Sequence, residues 1–183
     1  MCGIAGIWGD LDESKVQSMI DTQRHRGPDG HGVHVQLNRG VLGHIRLAIM
    51  DPAHGQQPIH NKDHSATLVA NGMIYNHPQL RKQLGETHNF ISHSDSETIL
   101  HVYEEHGLST PQLLDGMFAF AISEDDRLVL ARDRIGIKPL YYGRQKSEDG
   151  SETMYFASEL KALTPLTETI KEFPPGTFYD SRS

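Results

Sequence analysis

The sequence predicts an α+β fold in which largely antiparallel sheets are covered by helices. Three observations carry this reading. Short apolar stretches of strand length recur along the 183 residues, mostly in meander order. Two helical stretches with capping-box spacing interrupt them. The composition, 37% hydrophobic and 22% charged, suits one globular domain that buries a core without disulfide staples.

Residues 3 to 8 read as a short buried strand. Ser14 and Gln17 have capping-box spacing, and Val16, Met19 and Ile20 follow at helical intervals. That helix ends in HRGPDG, where Gly27-Pro28 breaks it. Val33 to Leu37 and Val41 to Ile49 read as strands joined near Asn38-Arg39-Gly40, and Asp51 to Pro58 as loop. Thr67 to Tyr75 reads as two strands around Asn71-Gly72, a strong hairpin signal. A short helix is expected after Asn76. Ser94 with Glu97 predicts a second capping box ahead of Ile99, Leu100, Val102 and Tyr103, stopped by Gly107. Strands follow at Gly116 to Ser123, Leu128 to Arg132, Leu140 to Gly143 and Met154 to Ala157. Lys146 to Thr153 is a polar loop, Glu159 to Leu163 a short helical piece, and Thr177 to Tyr179 a last strand; Asp180 to Ser183 reads as an arbitrary end. There is no internal repeat or low-complexity run.

Acids outnumber bases 24 to 17, a formal charge of −7. The bases are scattered, as Lys15, Arg39, Arg81 and Lys82 illustrate, so no basic face for nucleic acid is expected. The apolar segment Gly3 to Gly9 lacks a basic n-region and is too short for a signal sequence. No stretch has membrane-spanning length, so no membrane partner is expected. A single cysteine points to a reducing compartment and a cytoplasmic location.

That cysteine is Cys2. If Met1 is removed, as is usual before a small residue, thiol and free α-amine share one residue. Their ordinary pKa values, about 8.5 and about 7.7–8.0, allow the amine to take the thiol proton near neutral pH. The alternative is a lone cysteine without a role. Asn71-Gly72 offers a side-chain amide and an approachable backbone N–H for an oxyanion, or is a plain turn. Arg46, in the mostly apolar run GHIRLAIMD, is a surface residue or a bidentate carboxylate clamp. Asp95 is a first-turn acid or a partner for an α-ammonium group. His31-x-x-His34 and His60-x-x-x-His64 come nearest to metal-ligand pairs, but without accompanying carboxylates, and no metal is expected. Glycine-rich phosphate loops are missing.

The stretches MCGIAG, RHRGPDG, GHIRLAIMD, QQP, ANGMIYNH, SDSE, LDGMFAFAI, ARDRIGIKPLYY, ASELKAL and EFPPG together resemble the N-terminal glutaminase domain of the glutamine-dependent asparagine synthetase family. This is a class II glutamine amidotransferase of the N-terminal nucleophile (Ntn) hydrolase superfamily. The resemblance covers nearly the whole chain, residues 1–183. It implies a four-layer αββα sandwich of two mainly antiparallel sheets and hydrolysis of L-glutamine to glutamate and ammonia. It implies Cys2 as nucleophile, Asn71 and Gly72 as oxyanion donors, and Arg46 as carboxylate-binding residue within the substrate-lining run that includes Leu47, Ile49 and Met50. Asp95 is implied to hold the substrate amine. The family motif reads Asn-Gly-Glu, whereas this chain has Met73 in third place, also expected to line the substrate.

The family's ATP-dependent synthetase domain is expected to be absent from this chain, and with it ATP and Mg²⁺; no cofactor is expected here. In the full-length enzyme that domain would accept the ammonia for asparagine synthesis, and a homodimer is a further expectation. Two other readings stay open. One is hydrolysis of other γ-glutamyl amides, and the other is a catalytically silent interaction module.

Overall fold

The computed structural model describes residues 1–147 and 149–183. Its elements run β1 (Gly3–Trp8), α1 (Glu13–Thr22), β2 (Gly30–Gln36), β3 (Gly40–Arg46), β4 (Ile59–His60) and β5 (Ala66–Ile74), then α2 (His77–Leu84), α3 (Asp95–His106) and α4 (Thr110–Leu113). They close with β6 (Gly116–Glu124), β7 (Arg127–Arg132), β8 (Tyr141–Lys146), β9 (Glu152–Ala157), β10 (Ile170–Glu172) and β11 (Phe178–Asp180). One sheet has the order β10-β8-β9-β1-β3-β2, and the other β11-β7-β6-β5-β4, in which β4 to β7 follow in sequence and β11 returns to the edge beside β7. The strand pairs within both sheets are antiparallel.

Period-two alternation builds the layers. Ile4 and Leu42 point inward to meet Val69, Ala119 and Ala121 between the sheets. Their neighbours Ala5, Ile7 and Val41 point outward against Val16, Met19 and Ile20 of α1. In the second sheet Leu68, Ala70, Phe118, Phe120 and Ile122 face Ile99, Leu100 and Tyr103 of α3. Three apolar layers thus separate four layers of secondary structure, the αββα sandwich. Phe156 is fully buried between the sheets. Its ring fills space that a side chain on Gly6 would need, since a Cβ there would lie 2.3 Å from Cζ. Truncating such a phenylalanine costs about 3–5 kcal/mol.

Several local expectations are corrected. Asn71-Gly72 is no turn: β5 runs straight through it, with Asn71 opposite Ala119 and Gly72 opposite Phe118. The glycine serves close approach instead, because a Cβ on it would lie 2.6 Å from the Met117 carbonyl oxygen of β6. The cap of α1 is Asp12, which accepts from Lys15 N–H, and not Ser14. Ser94 does cap α3, but Glu97 turns away from the box and accepts from Ile91 N, Ser92 N and Ser92 Oγ. Strand β3 stops at Arg46, before Ile49. The strands β8 and β9 extend into the predicted polar loop, of which Glu148 lies outside the described residues. The short elements β4, α4 and β10 carry too few residues for a periodic signal. Asp180 belongs to β11, where it pairs in bidentate fashion with Arg127 at 2.8 Å.

Candidate active site

Because β1 lies between β3 and β9 in the first sheet, its N-terminal end is central to the molecule. Antiparallel pairing of Gly3 with Ile45 brings the start of β1 beside the end of β3. Cys2 therefore sits next to Arg46 and Leu47. Its Sγ accepts from Leu47 N at 3.4 Å and faces Leu47 O at 3.6 Å. Arg26 secures the same corner through Nε to Cys2 O at 2.9 Å and Nη1 to Glu159 at 3.0 Å. Asp29, in the same RHRGPDG stretch, accepts from Ala48 N at 2.8 Å and donates its own N–H to Arg46 O. That motif therefore sets the position of both the thiol and the chain leaving β3.

Facing this corner, the second sheet contributes Asn71 and Gly72 from β5, and α3 contributes Asp95 at its first residue. Cys2, Arg46, Leu47, Ile49, Met50, Asn71, Gly72, Met73 and Asp95 all line one cavity of about 100 Å³. All nine residues singled out in the sequence converge there. Ile49 stands at its lip, 62% exposed.

Asn71 is buried, and its Nδ2 has no hydrogen-bond partner among the described residues. Such a donor is costly unless something else fills it. The adjoining backbone is held firmly. The Gln57 side chain pairs with Ala70 on both sides, accepting from its N–H at 2.6 Å and donating to its carbonyl at 3.1 Å. His44 reaches the same carbonyl through Nε2 at 3.2 Å. Full burial pushes the His44 imidazole down to about 3, so it stays neutral and donates.

The charged groups are few and fixed. The Arg46 guanidinium, buried, donates to the carbonyls of Pro52, Met50 and Asp51. Three of its five N–H donors thus pin the loop after β3, and two remain. Asp95, also buried, accepts from Ile74 N through Oδ2 at 2.7 Å. A cation and an anion held at separate points of one cavity match the two ends of an amino-acid zwitterion.

Lys138 is a cavity residue that sequence reasoning missed. It is buried, and burial, reinforced by the Arg26 charge, pulls its ammonium below the ordinary lysine value, against the pull of Cys2 and Asp133. The loop before it is gathered by Asp133, which accepts from the backbone N–H groups of Phe118, Ile135, Ile137 and Lys138. Its signal was the one lysine in ARDRIGIKPLYY, a stretch otherwise read for strands. Gln57 and Arg26 were likewise hidden, since their roles rest on backbone partners distant in sequence. No helix among the described residues is long and apolar enough to cross a membrane.

A family model described as a glutamine amidotransferase domain matches residues 1–178. Glutamine-hydrolysing asparagine synthetase 2 of Arabidopsis thaliana is 44% identical, covering 100% of this chain and 32% of that protein. A probable asparagine synthetase of Schizosaccharomyces pombe is 43% identical, with 100% and 34% covered. The chain spans about a third of the length of these curated relatives. Among solved structures, glutamine phosphoribosylpyrophosphate amidotransferase from B. subtilis aligns with a TM-score of 0.81 at 24% identity, covering 98% of this chain and 47% of that one. An allosteric regulatory enzyme of purine biosynthesis aligns at 0.83 and 23%, covering 98% and 46%. These two likenesses speak for the fold.

Proposed function

This chain belongs to the glutamine amidotransferase domain family, and we propose that it releases ammonia from L-glutamine through a Cys2 thioester. The observation that carries the mechanism is the unpartnered, buried Asn71 amide lining the same cavity as the only thiol. In this reading Met1 is removed, and the Cys2 α-amine takes the thiol proton. The sulfur attacks the side-chain amide carbon, and the oxyanion is met by Asn71 Nδ2 and Gly72 N–H. The protonated amine then gives its proton to the departing nitrogen, ammonia leaves, and water hydrolyses the thioester to glutamate. Arg46 takes the α-carboxylate through a remaining N–H and its charge, and Asp95 takes the α-ammonium. Leu47, Ile49, Met50 and Met73 enclose the methylene chain.

The same proposal extends to the longer protein. There the ammonia serves asparagine synthesis in a separate domain, which supplies the ATP and Mg²⁺ chemistry, in a cytoplasmic, homodimeric enzyme. Identity to asparagine synthetases over this chain's whole length supports that extension. Met73 favours a second substrate reading. A cavity wall with thioether in place of carboxylate leaves room for other γ-glutamyl amides.

The test is the intact mass after exposure to a glutamine-like diazo-ketone. One adduct on a chain lacking Met1 is expected. A chain that retains Met1 and takes no adduct overturns the mechanism. Comparing glutamine with γ-glutamyl peptides as substrates decides between the two substrate readings.

A further inference from the structure

We propose that His88, His101 and Glu104 bind one divalent transition-metal ion of the zinc class, outside the cavity described above. The site joins the segment between α2 and α3, which carries His88, to one face of α3. On that face His101 and Glu104 stand three residues apart, so their side chains project together. The three donor atoms lie within 4.8 Å of one another. Glu104 Oε2 is the shared point, 3.3 Å from His88 Nδ1 and 2.7 Å from His101 Nδ1. Ligands about 2.0–2.1 Å from a tetrahedral ion stand roughly 3.3 Å apart, so a small opening of the cluster admits it.

The far side of each ring makes the stronger case. His88 Nε2 meets Glu105 Oε1 at 2.8 Å, and His101 Nε2 faces Glu97 Oε1 at 3.6 Å. Each imidazole thus turns one nitrogen to the common centre and the other to a carboxylate of its own. For His88 that is the hydrogen-bonded arrangement that orients a histidine ligand and raises its basicity, whereas the His101–Glu97 contact lies beyond hydrogen-bond distance. His101 is buried, and its Nε2 has no hydrogen bond among the described residues. Three carboxylates surround two imidazoles. The facing counter-groups are Arg81, 3.9 Å from Glu97, and the neutral Asn61 amide on Glu104. A divalent cation offsets that excess of negative charge. Imidazole and carboxylate donors together suit zinc rather than calcium. The fourth position is left to water on the partly exposed Glu104 side.

The ion would act as a clip. Glu97 already holds Ser92, two residues before the α3 cap and three before Asp95. Fixing His88 to α3 fastens the whole approach to Asp95. The sequence hid this site because His88 and His101 are separated by a loop and a helix turn rather than by a ligand spacing.

The test is Zn²⁺ titration of the chelator-stripped full chain in a Cys2→Ser background, read by a chromophoric competitor and, with Co²⁺, by its d–d spectrum. One equivalent is expected, and Tm should rise by roughly 5 °C at about 100 times Kd. His88→Gln and Glu104→Gln, checked for folding by circular dichroism, should each weaken binding at least about 10-fold. His60→Gln, in the separate His34–His60–His64 group, should leave it unchanged. The proposal is overturned by binding that survives His88→Gln, by binding lost in His60→Gln, or by none at about 100 µM Zn²⁺.

Discussion

The Cys2 sulfur is held against the main chain of Leu47, 3.4 Å from its nitrogen and 3.6 Å from its carbonyl oxygen. The thiol's position therefore depends on backbone at the end of β3, set by Arg46, Asp29 and Arg26, and little on its own surroundings. Cys2→Ala should abolish glutamate release while leaving the thermal melt within about 2 °C, because only a partly buried thiol is lost. A variant that still turns over would remove Cys2 from the mechanism.

Asn71→Ala separates catalysis from stability. Its Nδ2 has no partner to lose, so the substitution removes no hydrogen bond from that amide nitrogen. We expect kcat to fall about 10²–10³-fold, the usual effect of one oxyanion donor, with KM nearly unchanged. Unchanged kcat would assign the unpartnered amide to something other than an oxyanion.

Arg46→Lys keeps the charge and loses the planar fork. One ammonium cannot hold the carbonyls of Met50, Asp51 and Pro52 and also receive a carboxylate. KM for glutamine should rise about 10-fold or more, and limited proteolysis should cut near residues 50–55. Wild-type KM in this variant would rule out the clamp.

Met73→Glu tests the wall of the cavity. A carboxylate there adds an acceptor for the substrate ammonium beside Asp95, so KM for glutamine should fall several-fold, on the order of one charge-assisted hydrogen bond. Steady-state kinetics with glutamine and a γ-glutamyl peptide reads the effect, and a rise in KM for both would place the ammonium elsewhere.

His44 predicts part of the acid sensitivity. Its folded value of about 3 lies below the ordinary 6.5, so the unfolded chain takes up a proton that the folded protein refuses. Its contribution is complete above about pH 6.5 and declines as pH falls toward 3, by up to about 1.4 kcal/mol per pH unit. Half-buried His60, also held low, adds the same sign, whereas Glu97 and Asp180, held at about 2, act only at lower pH. Denaturant melts of wild type and His44→Gln between pH 6.5 and 4.5 isolate the His44 share. Parallel curves would show that His44 is protonated in the folded state.

The strands were legible where a short apolar run is unbroken, as in Leu128 to Ala131 and Met154 to Ala157, because strands covered on both faces bury every side chain and leave a continuous run of strand length in the residues. Asn71-Gly72 misled for a physical reason. The pair is favoured in tight turns, yet glycine is also required where another backbone passes close, and only the neighbouring strand tells the two apart. Ser14 misled because Asp12, two residues earlier, serves as well as a cap.

The residue types of the site were set by the sequence alone: a single thiol near the start, a lone arginine in an apolar run, an amide beside a glycine, an acid at a helix start. Their chemistry is local and travels with the side chain. What tertiary structure decided is that the nine candidate residues share one cavity, that Asn71 is left without a partner, that Lys138 is drawn in beside them, and that His88 meets His101 and Glu104. Those are relations between atoms far apart along the chain. They arise from antiparallel register, from two sheets stacked face to face, and from buried polar groups each taking whatever partner the packing leaves within reach.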